Sequence, residues 1–302
     1  MPPWTPTNFF PSRHRCCPQC LTRTVTVKGK AVTEYYHRIV VCHLIGYQIA
    51  LPLDAELVRP HETELDAAKR LVRRVLVAYR RLFDGTVGDA LYNEAEFINL
   101  SLDHHKEFIA VLKNNNRSVL EDAEGLRKLV PPQCWHEDDG PEVTYWDIEG
   151  FRREKVDKPL RVLSTHERET KRRRIGGKWS HEQETHDWHW ITSIGSSLMS
   201  TRDLWLAAHR RWDIENDLFN QLATHYGLDH CFKHDPTAII NFVLTLFIAF
   251  ILLQCFYHRN LKPQLRAKLN LTLIGLAAKL YQGLTDPELS APWLNLASGI
   301  PP

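Results

Sequence analysis

The chain carries almost no net charge: 38 basic residues stand against 36 acidic ones, leaving +2. That balance excludes a generic polyanion binder, so any nucleic-acid contact has to be local. No leader-like segment opens the sequence, and its seven cysteines are odd in number and scattered, which argues against a disulfide framework and for free thiols in a reducing cytoplasm. Long hydrophobic runs are absent too. The most apolar segment, Phe242 to Phe256, has 15 residues, short of the roughly 20 that a membrane span needs, so it reads as a buried core helix. Nothing supplies a Ser–His or Cys–His nucleophile on a recognisable elbow, which weakens a small-substrate hydrolase. There is no internal repeat, and no Asp or Glu precedes Glu34.

What is present describes an ordinary globular chain, 43% hydrophobic and 25% charged over 302 residues, enough for one large domain or two smaller ones. Prolines at positions 2, 3, 6 and 11 predict a ragged start without helix or central strand. EYYHRIVVC (Glu34 to Cys42) and the run from Tyr47 to Leu53 predict two strands. Leu65, Ala68, Val72, Val75, Tyr79 and Leu82 recur at helical spacing, predicting an amphipathic helix over Glu62 to Phe83. A short strand in GTVGDALY, a helix from Glu94 to Leu102 and a strand from Phe108 to Lys113 follow, the rhythm of a parallel sheet with crossover helices. From about 131 to 195 short strands separated by charged turns predict a β-rich insertion, not flanked by linker composition. Helices return after Ser200, with Gly227 placed to stop the first and a weaker last helix from Leu271 to Leu284.

Two carboxylates draw attention. On a helix wheel at 100° per residue, Leu204 to Tyr226 gathers Leu204, Ala207, Ala208, Trp212, Ile214, Leu218, Phe219 and Leu222 on one side, and Glu215 falls within that apolar arc with Arg211 one turn before it. A carboxylate there needs a partner or a metal, so either an internal Arg211–Glu215 pair or a metal ligand is expected. Asp89 follows a strand that leads out of a crossover helix, where ligands gather in such sheets; it either binds metal or caps the next helix. Together the two could hold Mg²⁺.

Cys17-Pro-Gln-Cys20 is a knuckle-like CxxC without a second such pair, with Cys16, His37, Cys42 and His43 near it in sequence. Strand alternation puts His37 and His43 on one side and Cys42 on the other, giving Cys17, Cys20, His37 and His43 as the candidate zinc set, against free thiols as the alternative. His225, His230 and His234 are read as a local polar cluster at a helix end. Basic runs at Arg13 to Lys30, Lys69 to Arg81 and Lys171 to Arg174 are either solvated faces or DNA contacts.

RWDIENDLFNQL (Arg211 to Leu222), GDALY (Gly88 to Tyr92), ELDAAKRL (Glu64 to Leu71) and HRNLKP (His258 to Pro263) together resemble bacterial insertion-sequence transposases of the DDE, ribonuclease-H-like superfamily, in the branch typified by insertion sequence four. The resemblance implies an α/β fold, a ribonuclease-H-like mixed sheet flanked by helices. Residues 1–130 would form the front of the core, 131–199 the β-rich insertion, 200–284 a C-terminal helical part and 285–302 a tail. It implies a cytoplasmic, non-membrane nuclease and strand transferase using Mg²⁺ or Mn²⁺ on element ends and target DNA, with a homodimer as partner state. Asp89 would match the second acid and Glu215 the third, both as metal ligands, with Arg211 in support. Of the family signature Tyr-x2-Arg-x3-Glu-x6-Lys, Arg211 and Glu215 are kept, while Ala208 and Leu222 stand at the Tyr and Lys positions. The first acid aligns to Thr5, with Pro6 where Gly is usual; Asp54 is the carboxylate considered as a stand-in. The expectation is a transposase lacking its front and impaired in catalysis, or alternatively a non-catalytic DNA-binding or dimerising remnant.

Overall fold

A strand buried on both faces organises the front of the molecule. In the computed structural model, which describes residues 6–46, 49–114, 117–137, 140–175, 178–230 and 233–285, β3 (Lys30–Leu44) lies between β1 (Pro6–Ser12) on one edge and β2 (Leu21–Val27) and β4 (Leu51–Leu57) end to end on the other. The β2–β3 hairpin turns on Lys28 and Gly29, both at positive φ, which suits the twist of a two-residue turn. Contrary to the sequence expectation, the proline-rich start is a strand. Pro6 opens it and Pro11 sits in the register break between Phe9 and Ser12, positions where no ladder donor is required. The second extended run also begins later than expected, at Leu51, with Pro52 beside a register shift in β3.

α1 (Glu64–Ala78) starts at a capping box in which Thr63 and Asp66 bond reciprocally, and it buries Ala68, Leu71, Val72 and Val75. β5 (Gly85–Gly88), α2 (Ala95–Asp103) and β6 (Glu107–Val111) complete a parallel βαβ unit. α3 (Arg117–Arg127) follows, a helix the sequence reading did not pick out. β7 (Gln133–His136), β8 (Glu142–Arg153), β9 (Val156–Ile175) and β10 (Lys178–Thr192) are antiparallel, and the end of β10 pairs with β6, giving the order β5-β6-β10-β9-β8-β7. The insertion thus continues the core sheet. Its strands are long rather than short: β9 has 20 residues and β10 has 15.

Helices cover both faces of the strands, which makes the protein a mixed α/β fold of the ribonuclease-H-like kind. On one side, Val40, Cys42 and Leu44 of β3 pack against α1, and β6, β8 and β9 against α2 and α3. On the other, Ile39 and Val41 face α5 (Asn220–Tyr226) and α6 (Pro236–Cys255), while Val87, Ile109 and Trp190 face α4 (Thr201–His209). Burying side chains of this size contributes about 1.5–3 kcal/mol each. α6 departs from the buried core helix expected. Ile239, Val243, Phe247 and Phe250 are buried, but Ile248 and Leu252 are 59% and 64% exposed, and Pro236–Asn260 is long and apolar enough by composition to cross a membrane. α7 (Pro263–Lys268) and α8 (Leu273–Thr285) end the described chain.

Candidate active site

Asp89 stands at the carboxyl end of β5, half-buried, and its Oδ1 accepts from the Leu91 N–H at 2.8 Å, capping a short 3₁₀ turn, Ala90–Tyr92. The two roles open to it in the sequence, cap and strand-end acid, coexist. Gly88 makes the turn feasible, because a Cβ there would lie 2.7 Å from Cβ of Tyr92. Tyr92 is buried, and its O–H donates to Oε1 of Glu64 at 2.7 Å; Arg38 of β3 approaches the other Glu64 oxygen at 4.0 Å. Burial raises the pKa of Glu64, the Tyr92 hydrogen bond lowers it, and the charge of Asp89 raises it again, with a net rise. Tyr92 is pushed well above its ordinary value, first by burial and then by Glu64 and Asp89, with Arg211 opposing. Glu64 and Tyr92 had no sequence signal of their own beyond lying in the quoted strings.

Glu215 comes from a different layer. The helical path from Thr201 to Tyr226 is not one regular helix: α4 passes through a 3₁₀ turn (Arg210–Trp212) and a π-helical segment (Ile214–Phe219) before α5. Gly227 ends it in the left-handed region at φ 66°. The wider π turns advance fewer degrees per residue, so the wheel drawn at 100° fails there, and the Glu215 side chain is 42% exposed instead of buried in the apolar arc. Arg211 is the buried member, 3.6 Å from Oε1 of Glu215, with its guanidinium 4.3 Å from the centre of the Trp212 ring. Since Arg211 acts on Tyr92, and Tyr92 on the Asp89 side, one chain of electrostatic neighbours links the two acid-bearing elements.

A second buried carboxylate fixes the approach of α4. Glu167 of β9 accepts from Trp205 Nε1 at 2.7 Å, from Thr165 Oγ1 at 2.8 Å and from His209 Nε2 at 3.0 Å. Burial alone would raise its pKa, but these donors and the charge of His209 outweigh that and hold it below the ordinary value. The His209 ring sits among Trp188, Trp190, Trp205 and Trp212, with centroids 4.8–6.0 Å away.

Other candidate residues are placed as follows. Thr5 lies outside the described residues. Asp54 lies within β4, where Oδ2 accepts from Arg74 Nε at 2.6 Å, so it is engaged as a structural ion pair. The basic run on α1 is largely neutralised: Lys69 meets Glu94 and Glu96, Arg70 meets Glu56 and Glu62, Arg73 meets Glu96, and Arg74 meets Asp54 and Glu56. Cys17, Cys20 and His37 converge, but His43 is not with them. Six residues along a strand span about 20 Å, and His43 is buried elsewhere on β3 without a hydrogen-bond partner among the described residues. The fourth side chain at the thiols is His234.

A family model described as "Transposase DDE domain" matches residues 21–252, a stretch that includes both Asp89 and Glu215. No curated protein matches the chain.

Proposed function

The chain belongs to the transposase DDE domain family, and from that premise we infer that it acts on DNA at the ends of an insertion sequence, with Asp89 and Glu215 as its metal-binding carboxylates. The observation that carries this is the convergence on Tyr92, where Asp89 and Glu64 press from one side and Arg211, paired with Glu215, from the other. The donor set suits a hard divalent cation: oxygen ligands only, one carboxylate pKa already raised by burial and crowding, and one oxygen of Asp89 bound by none of the described residues. Asp89 and Glu215 would hold Mg²⁺ or Mn²⁺, which when bound polarises the phosphodiester and activates the attacking oxygen. The chain's own residues do the positioning. The Glu167 network seats α4, Arg211 keeps Glu215 facing the Tyr92 side, and Glu64 and Tyr92 keep that side anionic.

DNA contact falls to the β9–β10 arm. Past Arg168, β9 leaves β8 and pairs only with β10, and this free hairpin carries Lys171 and Arg172, with the Arg172 guanidinium 4.3 Å from the ring of Trp179, itself 58% exposed. Cations interleaved with an exposed indole suit phosphates and unstacked bases. Cutting is impaired because the place of the first acid is Thr5, so two family carboxylates must do the work of three. Such a protein works in the cytoplasm as a pair of copies, one per element end.

The test is a supercoiled-plasmid nicking assay in Mg²⁺ and in Mn²⁺, beside a DNA-binding titration, for the wild type, Asp89→Ala and Glu215→Ala. DNA binding by all three with weak nicking only in the wild type is the expected result. Binding without any nicking would leave a non-catalytic DNA-binding protein. Nicking that survives both substitutions would overturn the assignment of the acids.

A further inference from the structure

We propose that Cys17, Cys20, His37 and His234 bind one zinc ion in a closed, four-ligand structural site. Their ligand atoms all lie within 4.8 Å of one another. Cys17 Sγ is 3.4 Å from His37 Nε2, Cys20 Sγ is 3.5 Å from the same nitrogen and 3.2 Å from His234 Nδ1, and the two sulfurs are 3.6 Å apart. A tetrahedron with Zn–S near 2.3 Å and Zn–N near 2.0–2.1 Å has S–S edges of about 3.8 Å and S–N edges of about 3.6 Å. The side chains therefore already occupy the corners of such a site to within a few tenths of an ångström.

Local structure builds the corners. Cys17 and Cys20 close a tight turn in which the Cys20 N–H donates to the Cys17 carbonyl at 3.1 Å and the Cys17 N–H points at Cys20 Sγ at 3.1 Å, the geometry of a thiolate knuckle. His37 comes from β3 and is 1% exposed; Cys20 is 9% exposed. His234 comes from the segment that joins the acid-bearing helical path to α6. Its Nε2 lies 3.3 Å from the Phe10 carbonyl, and as that nitrogen's only role can be to donate, Nδ1 is left with its lone pair directed at the thiols. Four protein donors leave no open position, so the ion does no chemistry on a substrate. It fastens β1, the β2–β3 hairpin and the segment after α5 to one another across more than 200 residues of sequence. The oxygen-donor site at Asp89 and Glu215 is chemically distinct, and zinc binding here does not depend on the transposition chemistry.

The full chain, purified under reducing conditions without added metal, is to be assayed for zinc by elemental analysis before and after dialysis against EDTA, then reconstituted with Co²⁺ and scanned in the visible. One zinc per chain is expected, together with tetrahedral Co²⁺ bands and thiolate-to-metal charge transfer. His234→Ala and Cys20→Ser should lose the stoichiometric zinc, whereas His43→Ala, Cys16→Ser and Glu215→Ala should keep it. Should the alanine and serine variants fold poorly, His234→Cys supplies the control: it should retain one zinc, with a stronger charge-transfer band from the added thiolate. Zinc at background level in the wild type, octahedral Co²⁺ spectra, or full zinc retention by His234→Ala would overturn the proposal.

Discussion

Replacing Glu167 should loosen the helix that leads to Glu215, and the size of the effect follows from what its carboxylate holds. Glu167→Ala leaves Trp205 Nε1 and Thr165 Oγ1, both buried, without an acceptor, while His209, 26% exposed, can turn to water. Two orphaned donors at about 1–3 kcal/mol each give a loss centred near 4 kcal/mol, in line with the about 3–5 kcal/mol for breaking a buried pair. Glu167→Gln keeps an acceptor and loses only the charge, so about half of that is expected. pH separates the two contributions. The folded-state pKa of Glu167 is depressed, so its charge stabilises the fold above the unfolded value of about 4.3 and that stability is lost as pH falls through the lower folded value. The gap between wild type and Glu167→Gln should therefore be constant from pH 7 to 5 and narrow below about pH 4. Urea unfolding followed by tryptophan fluorescence measures both, since four indoles surround His209. A loss under about 1 kcal/mol for Glu167→Ala, or a gap indifferent to acid, would refute the reasoning.

Gly88→Ala should cost about 1–3 kcal/mol in urea unfolding, because the new Cβ meets Tyr92 Cβ at 2.7 Å, and it should lower nicking further by displacing Asp89; wild-type stability would count against the tight turn. Arg211→Ala should change Mn²⁺ affinity by no more than about 1 kcal/mol, roughly fivefold, since its partner is 42% exposed, and a larger shift by calorimetry would place Glu215 in a drier site than described. Tyr92→Phe removes the hydrogen bond that lowers the Glu64 pKa, so that pKa should rise further and about 1.5–3 kcal/mol of stability should go. In DNA-binding titrations over a salt series, Arg172→Ala should flatten the slope by about 0.9 per lost phosphate contact, whereas Arg74→Ala should leave the slope unchanged because Asp54 and Glu56 already hold that guanidinium.

Where the sequence was legible, local chemistry decided the outcome. The α1 period, the Gly227 stop and the strand ending at Asp89 each depend on residues within a few positions of one another, and each appears where periodicity and turn chemistry put it. The misses have long-range or conformational causes. Prolines argued against a strand at the start, yet Pro6 and Pro11 occupy the two places in β1 that need no donor, a fact set by the register with β3. Glu215 was assigned to a buried arc because a uniform wheel cannot foresee a π segment. The α1 cations looked free because their acids, Asp54 and Glu56, lie on another strand. His234 was read with its sequence neighbours His225 and His230; only the fold carries it to Cys20, 214 positions away.

The irregular stretch between Trp212 and Asn220 also separates two packing obligations. α4 is seated on the sheet of β5, β6 and β10, while α5 is seated on the sheet built around β3. A uniform helix would have to present one stripe to both. With its pitch changed midway, the path works as a crankshaft whose two journals are keyed at different angles, and Glu215 rides on the throw between them. Any small rotation of one sheet against the other is thereby converted into travel of that carboxylate, so the spacing of the acids is set by the relative pose of the two sheets rather than by the helix alone.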